Sequence, residues 1–257
     1  MRVELIPSSV SHPEGERAPQ FLSSYLIGDA LVIDGGSVGL LADIARQKAI
    51  QHVVLTHAHL DHVASLPLFI ETVYSPGPDC VEVLAHPAIL KQIRNDLFNN
   101  STWPDFIELS TADDAFMQVT AMEPLTTVER SGCRITPVPV HHAPHTYGMI
   151  VDDGTSCVVF AADTGPTEQI WKEASQYANL KAVFLECSFP NEMEAFAAKT
   201  GHLCPRTFVD QCKWIPDTVR IITVHRKARY RDEIASQLST YNLPNVEIIT
   251  SGKAYMF

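Results

Sequence analysis

The sequence predicts an α/β fold in which two sheets pack face to face and helices cover their outer sides. Three observations lead there. Short apolar runs alternate with segments of helical period along the whole chain. Several runs are apolar at almost every position, as in HVVLT (52–56) and CVVFAA (157–162), so both faces of those strands must be covered. No linker of Gly, Pro and Ser interrupts the 257 residues, so 1–257 reads as one domain. Folded-surface scaling leaves about 11,000 Å² exposed, against about 41,000 Å² for the unfolded chain, which is enough burial for a large shared core.

Taken in order, residues 30–34 (ALVID) form a buried strand closed by the Gly35-Gly36 turn. Residues 38–48 carry apolar positions at helical spacing, and 52–56 form a second buried strand. Helices over 63–74 and 87–98 flank a strand at 81–85, while 103–124 presents no pattern that assigns an element. Residues 134–140, 148–152 and 157–162 make three successive strands, the first two joined by a His-rich loop at 141–147. A helix at 167–177, a strand at 182–186 (AVFLE) and helices at 191–199 and 205–214 follow. The chain closes with a strand at 219–224, a helix at 230–240 and a strand at 246–250; the three tryptophans read as core.

Nineteen Lys+Arg against thirty Asp+Glu leave a formal charge of −11. Long nucleic acid and anionic membranes both require a broad basic face, and such an acidic chain is not expected to offer one. Small anionic substrates stay open, because a metal ion reverses the local potential. The six cysteines contain no CxxC pair and suggest no disulfide framework. The N-terminus has no apolar stretch behind a basic start, and no apolar run approaches the ~18 residues of a membrane span. A reducing, cytoplasmic setting is the expectation.

The sharpest chemical signal is Thr56-His57-Ala58-His59-Leu60-Asp61-His62, placed directly behind HVVLT. In extended chain, side chains two apart share a face, so His57, His59 and Asp61 converge while His62 points to a neighbouring position. Three imidazoles and a carboxylate suit borderline divalent metals such as Zn²⁺. Further His and Asp residues stand singly at strand ends: His142 or His145 between two strands, Asp163 after CVVFAA, and His225 after VRIITV. Asp34 is a candidate partner for a ring of the HxHxDH loop.

The HxHxDH run resembles the metallo-β-lactamase superfamily, whose αββα sandwich places its ligands at strand ends. By that resemblance His57, His59 and His142 hold one metal, Asp61, His62 and His225 the other, and Asp163 bridges the two. Two divalent ions, Zn first with Mn or Fe as alternatives, would share a hydroxide that attacks the substrate. His145-Thr146-Tyr147-Gly148 looks like the His-Thr-x-Gly of the glyoxalase and lactonase branch, whereas His142 with Gly148 six residues later looks like the phosphodiesterase branch. The later motifs favour His142. Asp163-Thr164-Gly165-Pro166-Thr167, Glu186-Cys187-Ser188-Phe189 and Gly201-His202-Leu203-Cys204-Pro205 resemble stretches of class II cyclic-nucleotide phosphodiesterases. Departures are Ser65, where a Gly is usual, and Cys204, where a Thr is usual.

The resemblance implies hydrolysis of 3′,5′-cAMP to 5′-AMP, with Asp61 in the catalytic centre and His202, oriented by Glu186, as proton donor. A small cyclic nucleotide is the expected partner, and a homodimer is compatible with the family. The alternatives are a ribonuclease Z-like tRNA 3′ endonuclease, a thioester or lactone hydrolase, and a metal-binding sensor without turnover. The −11 charge and the absence of a glycine-rich arm between His142 and Asp163 speak against the first. Arg226, Lys227, Arg229 and Arg231 read as a solvated helix start ahead of a phosphate clamp.

Overall fold

The computed structural model describes residues 1–8 and 20–257. Its first sheet contains β1 (Arg2–Leu5), β2 (Tyr25–Ile27), β3 (Leu31–Ile33), β4 (His52–Val54), β5 (Val81–Ala85) and β6 (Met117–Ala121). The second contains β7 (Val128–Arg130), β8 (Cys133–Pro139), β9 (Tyr147–Asp152), β10 (Cys157–Phe160), β11 (Leu180–Glu186), β12 (Arg220–Val224) and β13 (Val246–Ile248). The last strand, β14 (Ala254–Met256), returns to the edge of the first sheet beside β1. Orders are β14-β1-β2-β3-β4-β5-β6 and β13-β12-β11-β10-β9-β8-β7. Each sheet is mixed in the same way. Its outer strands run antiparallel up to β3 or β10, and parallel pairs continue to β6 or β13.

Helices α1 (Ile44–Ala49), α2 (Leu60–Val63), α3 (Leu66–Val73), α4 (Pro87–Asp96) and α5 (Phe106–Leu109) belong to the first half. Helices α6 (Gln169–Ala174), α7 (Glu194–Thr200), α8 (Pro205–Cys212) and α9 (Arg231–Ser239) belong to the second. Two-residue alternation divides the second sheet between two cores. Val158, Phe160, Ala182, Phe184, Ile222 and Val224 face the first sheet. Val159, Val183, Leu185 and Ile221 face Ile170 and Trp171 of α6, Phe208 of α8 and Ile234 of α9. The inter-sheet layer is centred on Phe160 stacked on Phe184 at 4.8 Å, with Tyr25 of the facing sheet 5.3 Å from Phe160. The architecture is the αββα sandwich expected from the sequence.

Several boundaries differ. The helix expected at 38–48 is a 3-10 turn (Val38–Leu40) followed by α1, because Asp43 caps the amides of Ala45 and Arg46 and starts a new helix. The helix expected at 63–74 is split into α2 and α3, with Pro67 in the first turn of α3. The unassigned stretch 103–124 holds α5 and β6. Strand β6 is an edge strand with polar, exposed positions, so it lacks the apolar signature of its neighbours. The strands β1, β2, β7 and β14 were not expected either; each spans three or four residues, too few to show a period. Trp171 is buried as expected, whereas Trp214 is 46% exposed.

A polar clasp joins the sheets near one edge. Arg130 of β7 donates through Nε to Glu82 Oε2 at 2.5 Å and through Nη2 to Oε1 at 2.9 Å. This two-pronged bond holds the Glu82 carboxyl below its usual range. A depressed carboxylate pKa contributes stability above the ordinary value near ~4.3 and loses it as pH falls through the depressed one. Glu82→Gln should therefore cost about 1 kcal/mol near neutrality, with the difference from wild type vanishing in acid. Urea midpoints across pH check this; a difference that persists when the Glu82 carboxyl is protonated in folded and unfolded chain alike would contradict it.

Candidate metal centre

The strands that carry the expected ligands end on one edge of the sandwich, and the loops behind them bring those side chains together. The HxHxDH loop follows β4, His142 lies between β8 and β9, Asp163 follows β10, Glu186 ends β11 and His225 follows β12. At this edge three residues just beyond strands sit in the left-handed region: Asp34 (φ 64), Ala162 (φ 56) and His225 (φ 50). For alanine this conformation costs of order 1 kcal/mol, and its position beside Asp163 places the strain where the chain must turn side chains inward. At Gly36 a Cβ would lie 2.0 Å from the carbonyl oxygen of Asp61, so only glycine lets the HxHxDH loop approach that closely.

Two overlapping groups of ligand atoms result. His57, His59, His142 and Asp163 form one and Asp61, His62 and His225 the other, with the ligand atoms of each group within 4.8 Å of one another. His142 Nε2 lies 3.2 Å from His59 Nδ1 and 3.9 Å from Asp163 Oδ2; His57 Nε2 is 3.7 Å from the same carboxylate oxygen. Across the site, His225 Nε2 is 3.1 Å from Asp61 Oδ2 and 3.5 Å from His62 Nε2. Asp163 is 1% exposed and faces both groups, its Oδ1 being 3.3 Å from His62 Nε2. A third grouping, Asp163, His202 and His225, is also close enough for an ion, but His202 Nδ1 is engaged by Glu186.

Four rings have a partner on Nδ1; in three it lies outside the cluster and settles that Nε2 faces inward, whereas His225 Nδ1 also meets Asp163 Oδ1 at 3.3 Å. Asp34 Oδ2 accepts from His62 Nδ1 at 2.7 Å, and its carboxylate also accepts from the Thr56 amide and hydroxyl. Thr56 Oγ1 lies 3.0 Å from His57 Nδ1, and the Gly201 carbonyl accepts from His142 Nδ1 at 2.9 Å. Ser188 donates to the His225 carbonyl and lies 3.0 Å from His225 Nδ1. The inward nitrogens of His57 and His142, whose burial disfavours the charged ring, are then left with lone pairs. Buried His57 Nε2 and Asp163 Oδ1 accordingly have no hydrogen-bond partner among the described residues. Lone pairs from rings and carboxylates that face one another at these distances repel unless a cation sits between them, so the donor set fits divalent metal.

Electrostatics follows the same division. Burial, with His62 close by, pushes the His57 ring well below its ordinary pKa. His62 shifts well upward: burial opposes its charge, but Asp163 and Asp34 outweigh it. The Asp163 carboxyl, although buried, is held well below the carboxylate range by His225 and His62.

Glu186, fully buried, accepts from His202 Nδ1 at 2.6 Å, from the Thr164 amide at 3.0 Å and from the Ser188 and Leu203 amides at 3.1 and 3.2 Å. Burial disfavours a charged His202, yet Glu186 raises its pKa overall. His145 is exposed, with its ring 5.8 Å from that of His86, so the structure brings His142 and not His145 into the cluster. Sequence reasoning assigned no role to Ser188 or to the Gly201 carbonyl; nothing in a single sequence marks a backbone oxygen or one serine as a tether.

Comparison with known proteins agrees with this fold. A beta-lactamase superfamily domain matches residues 40–225, and the chain belongs to that superfamily. Within it, the chain is 24% identical over 215 residues to a probable 3′,5′-cyclic-nucleotide phosphodiesterase of Yersinia pestis, a match covering 74% of this chain and 61% of the relative. It is 25% identical over 213 residues to a 3′,5′-cyclic-nucleotide phosphodiesterase of Aliivibrio fischeri, covering 75% and 60%. The match thus spans about 60% of the length of these curated relatives. Unliganded yeast PDE1 superposes with a TM-score of 0.75 at 14% identity, covering 100% of this chain and 99% of that one. The metallo-beta-lactamase fold protein YhfI of Bacillus subtilis gives 0.73 at 19% identity, covering 99% and 98%. Among the described residues, no helix is long and apolar enough to cross a membrane.

Loss of the Asp34 carboxylate should loosen metal without unfolding the chain. Asp34→Asn is expected to weaken Zn²⁺ affinity about 10–100-fold, as partners that orient ligand rings usually do. Competition with a chromogenic chelator measures this; unchanged affinity would show that His62 needs no such orientation.

Proposed function

We propose that this protein hydrolyses 3′,5′-cyclic nucleotides, converting 3′,5′-cAMP to 5′-AMP, with two divalent ions, Zn²⁺ first among them. His57, His59 and His142 would hold one ion, Asp61, His62 and His225 the other, and Asp163 both. When bound, such a pair lowers the pKa of water toward neutrality and neutralises phosphoryl oxygens. The curated relatives named as cyclic-nucleotide phosphodiesterases support the substrate class.

The observation that carries the reading is the 2.6 Å pair of Glu186 and His202 beside the ligand cluster. Hydrolysis breaks the P–O3′ bond, and its electron pair goes to an alkoxide that leaves poorly without a proton. With Nδ1 held by Glu186, His202 presents Nε2 as the donor to O3′, and the carboxylate favours the protonated ring. The bond from His142 Nδ1 to the Gly201 carbonyl, at 2.9 Å, ties the segment bearing His202 to the ligand cluster and keeps donor and ligands in register. Lys227 Nζ, 3.3 Å from Asp61 Oδ2, adds positive charge on the other flank.

The decisive assay is turnover of 3′,5′-cAMP by Zn²⁺- or Mn²⁺-loaded protein, with 5′-AMP identified by chromatography. Metal-replete protein that leaves cAMP intact would sink the assignment. His202→Ala is expected to slow cAMP hydrolysis about 10²–10⁴-fold with metal content unchanged. The same variant should slow methyl p-nitrophenyl phosphate far less, because nitrophenolate departs without a proton. Equal losses on the two substrates would remove His202 as proton donor.

A further inference from the structure

Beside the ligand cluster lies a cavity of about 340 Å³, within the range of small-molecule sites. Phe21, Ile249, Thr250 and Ala235 of α9 line it, and His225 and Lys227 close the side toward the cluster. His225 therefore borders both spaces. Lys227 Nζ lies 3.3 Å from Asp61 Oδ2 and 3.5 Å from His225 Nε2, while its side chain stays 37% exposed. The cation stands at the seam between cavity and ligands.

The lining is chemically mixed. Phe21 is 62% exposed, an aromatic ring with most of its surface unburied at the cavity wall. Ile249 and Ala235 are apolar, and Thr250 adds polar groups. A nucleobase needs that combination, because its faces bury against aromatic and aliphatic surface while its edges exchange hydrogen bonds. The cyclic phosphodiester carried by the ribose is an anion, which suits a lysine where the cavity opens onto the cluster.

We infer that this cavity receives the nucleoside of the substrate, with the base stacked on Phe21 and Lys227 contacting a phosphoryl oxygen at the seam. The inference rests on the diesterase reading above and adds to it where nucleotide recognition resides. Affinity for the nucleoside then depends on residues apart from the ligands and from His202. A diester without a nucleoside makes no use of them.

Two variants test this, one on an exposed side chain and one that narrows the cavity. Phe21→Ala should raise KM for 3′,5′-cAMP about tenfold, the scale of one base stacked on one aromatic ring. Its kcat should stay within about twofold, the signature of binding lost equally from ground and transition states. Ala235→Phe should shift KM the same way. Neither should alter metal content or turnover of methyl p-nitrophenyl phosphate. Unchanged KM for cAMP in both variants, or equal losses on the two substrates, overturns the cavity assignment. Wild-type protein that is metal-replete yet hydrolyses neither substrate overturns the diesterase reading, and the cavity assignment falls with it.

Discussion

Six side chains and one shared carboxylate point atoms able to bind a metal at one small volume, and the rest of the molecule is arranged to keep them there. Imidazoles left to themselves would turn away from one another or take up protons. Here Asp34, Thr56, Gly201 and Ser188 hold the outer nitrogens of His62, His57, His142 and His225, so rotating any ring away breaks a hydrogen bond. All four tethering residues are buried, where a broken bond is not readily replaced by water. The site is in this sense preorganised for a cation before one arrives.

The sandwich explains why such convergence is available at one edge. Both sheets change from antiparallel to parallel partway across, so β4, β10, β11 and β12 each carry a loop to the same side. The inter-sheet layer of Tyr25, Phe160 and Phe184 underlies that edge and fixes the separation of the two sheets. Left-handed residues stand behind β3, β10 and β12, and each turns the chain sharply into the site. Stability is spent locally so that Asp34, Asp163 and His225 can face inward, a pattern expected of functional loops on a rigid scaffold.

Glu186 shows how position lets one carboxylate organise its surroundings. It ends β11, fully buried, and it accepts three backbone amides as well as the His202 ring. Those amides come from segments behind β10, β11 and α7, so one carboxylate pins three loops around the His202 ring. The −11 charge of the chain has no bearing on this local chemistry, which is set by neighbours within a few ångströms.

Much of this was legible in the amino-acid sequence. The long apolar strands β10, β11 and β12 and the HxHxDH run declare themselves through composition and spacing, because burial on both faces and metal chemistry each demand particular residue types in a short window. The edge strands β6, β7 and β14 and the short inner strands β1 and β2 did not, since three to five residues carry no period that distinguishes them from loops. Spacing also left His142 and His145 equivalent as ligands, three residues apart in one loop. Only the tertiary structure separates them: the Gly201 carbonyl, far along the chain, reaches His142 and holds its ring inward, while His145 remains in solvent near His86. Ligand identity is local chemistry and can be written in a motif. Ligand orientation depends on partners brought close by folding, and no stretch of sequence contains both halves of such a contact.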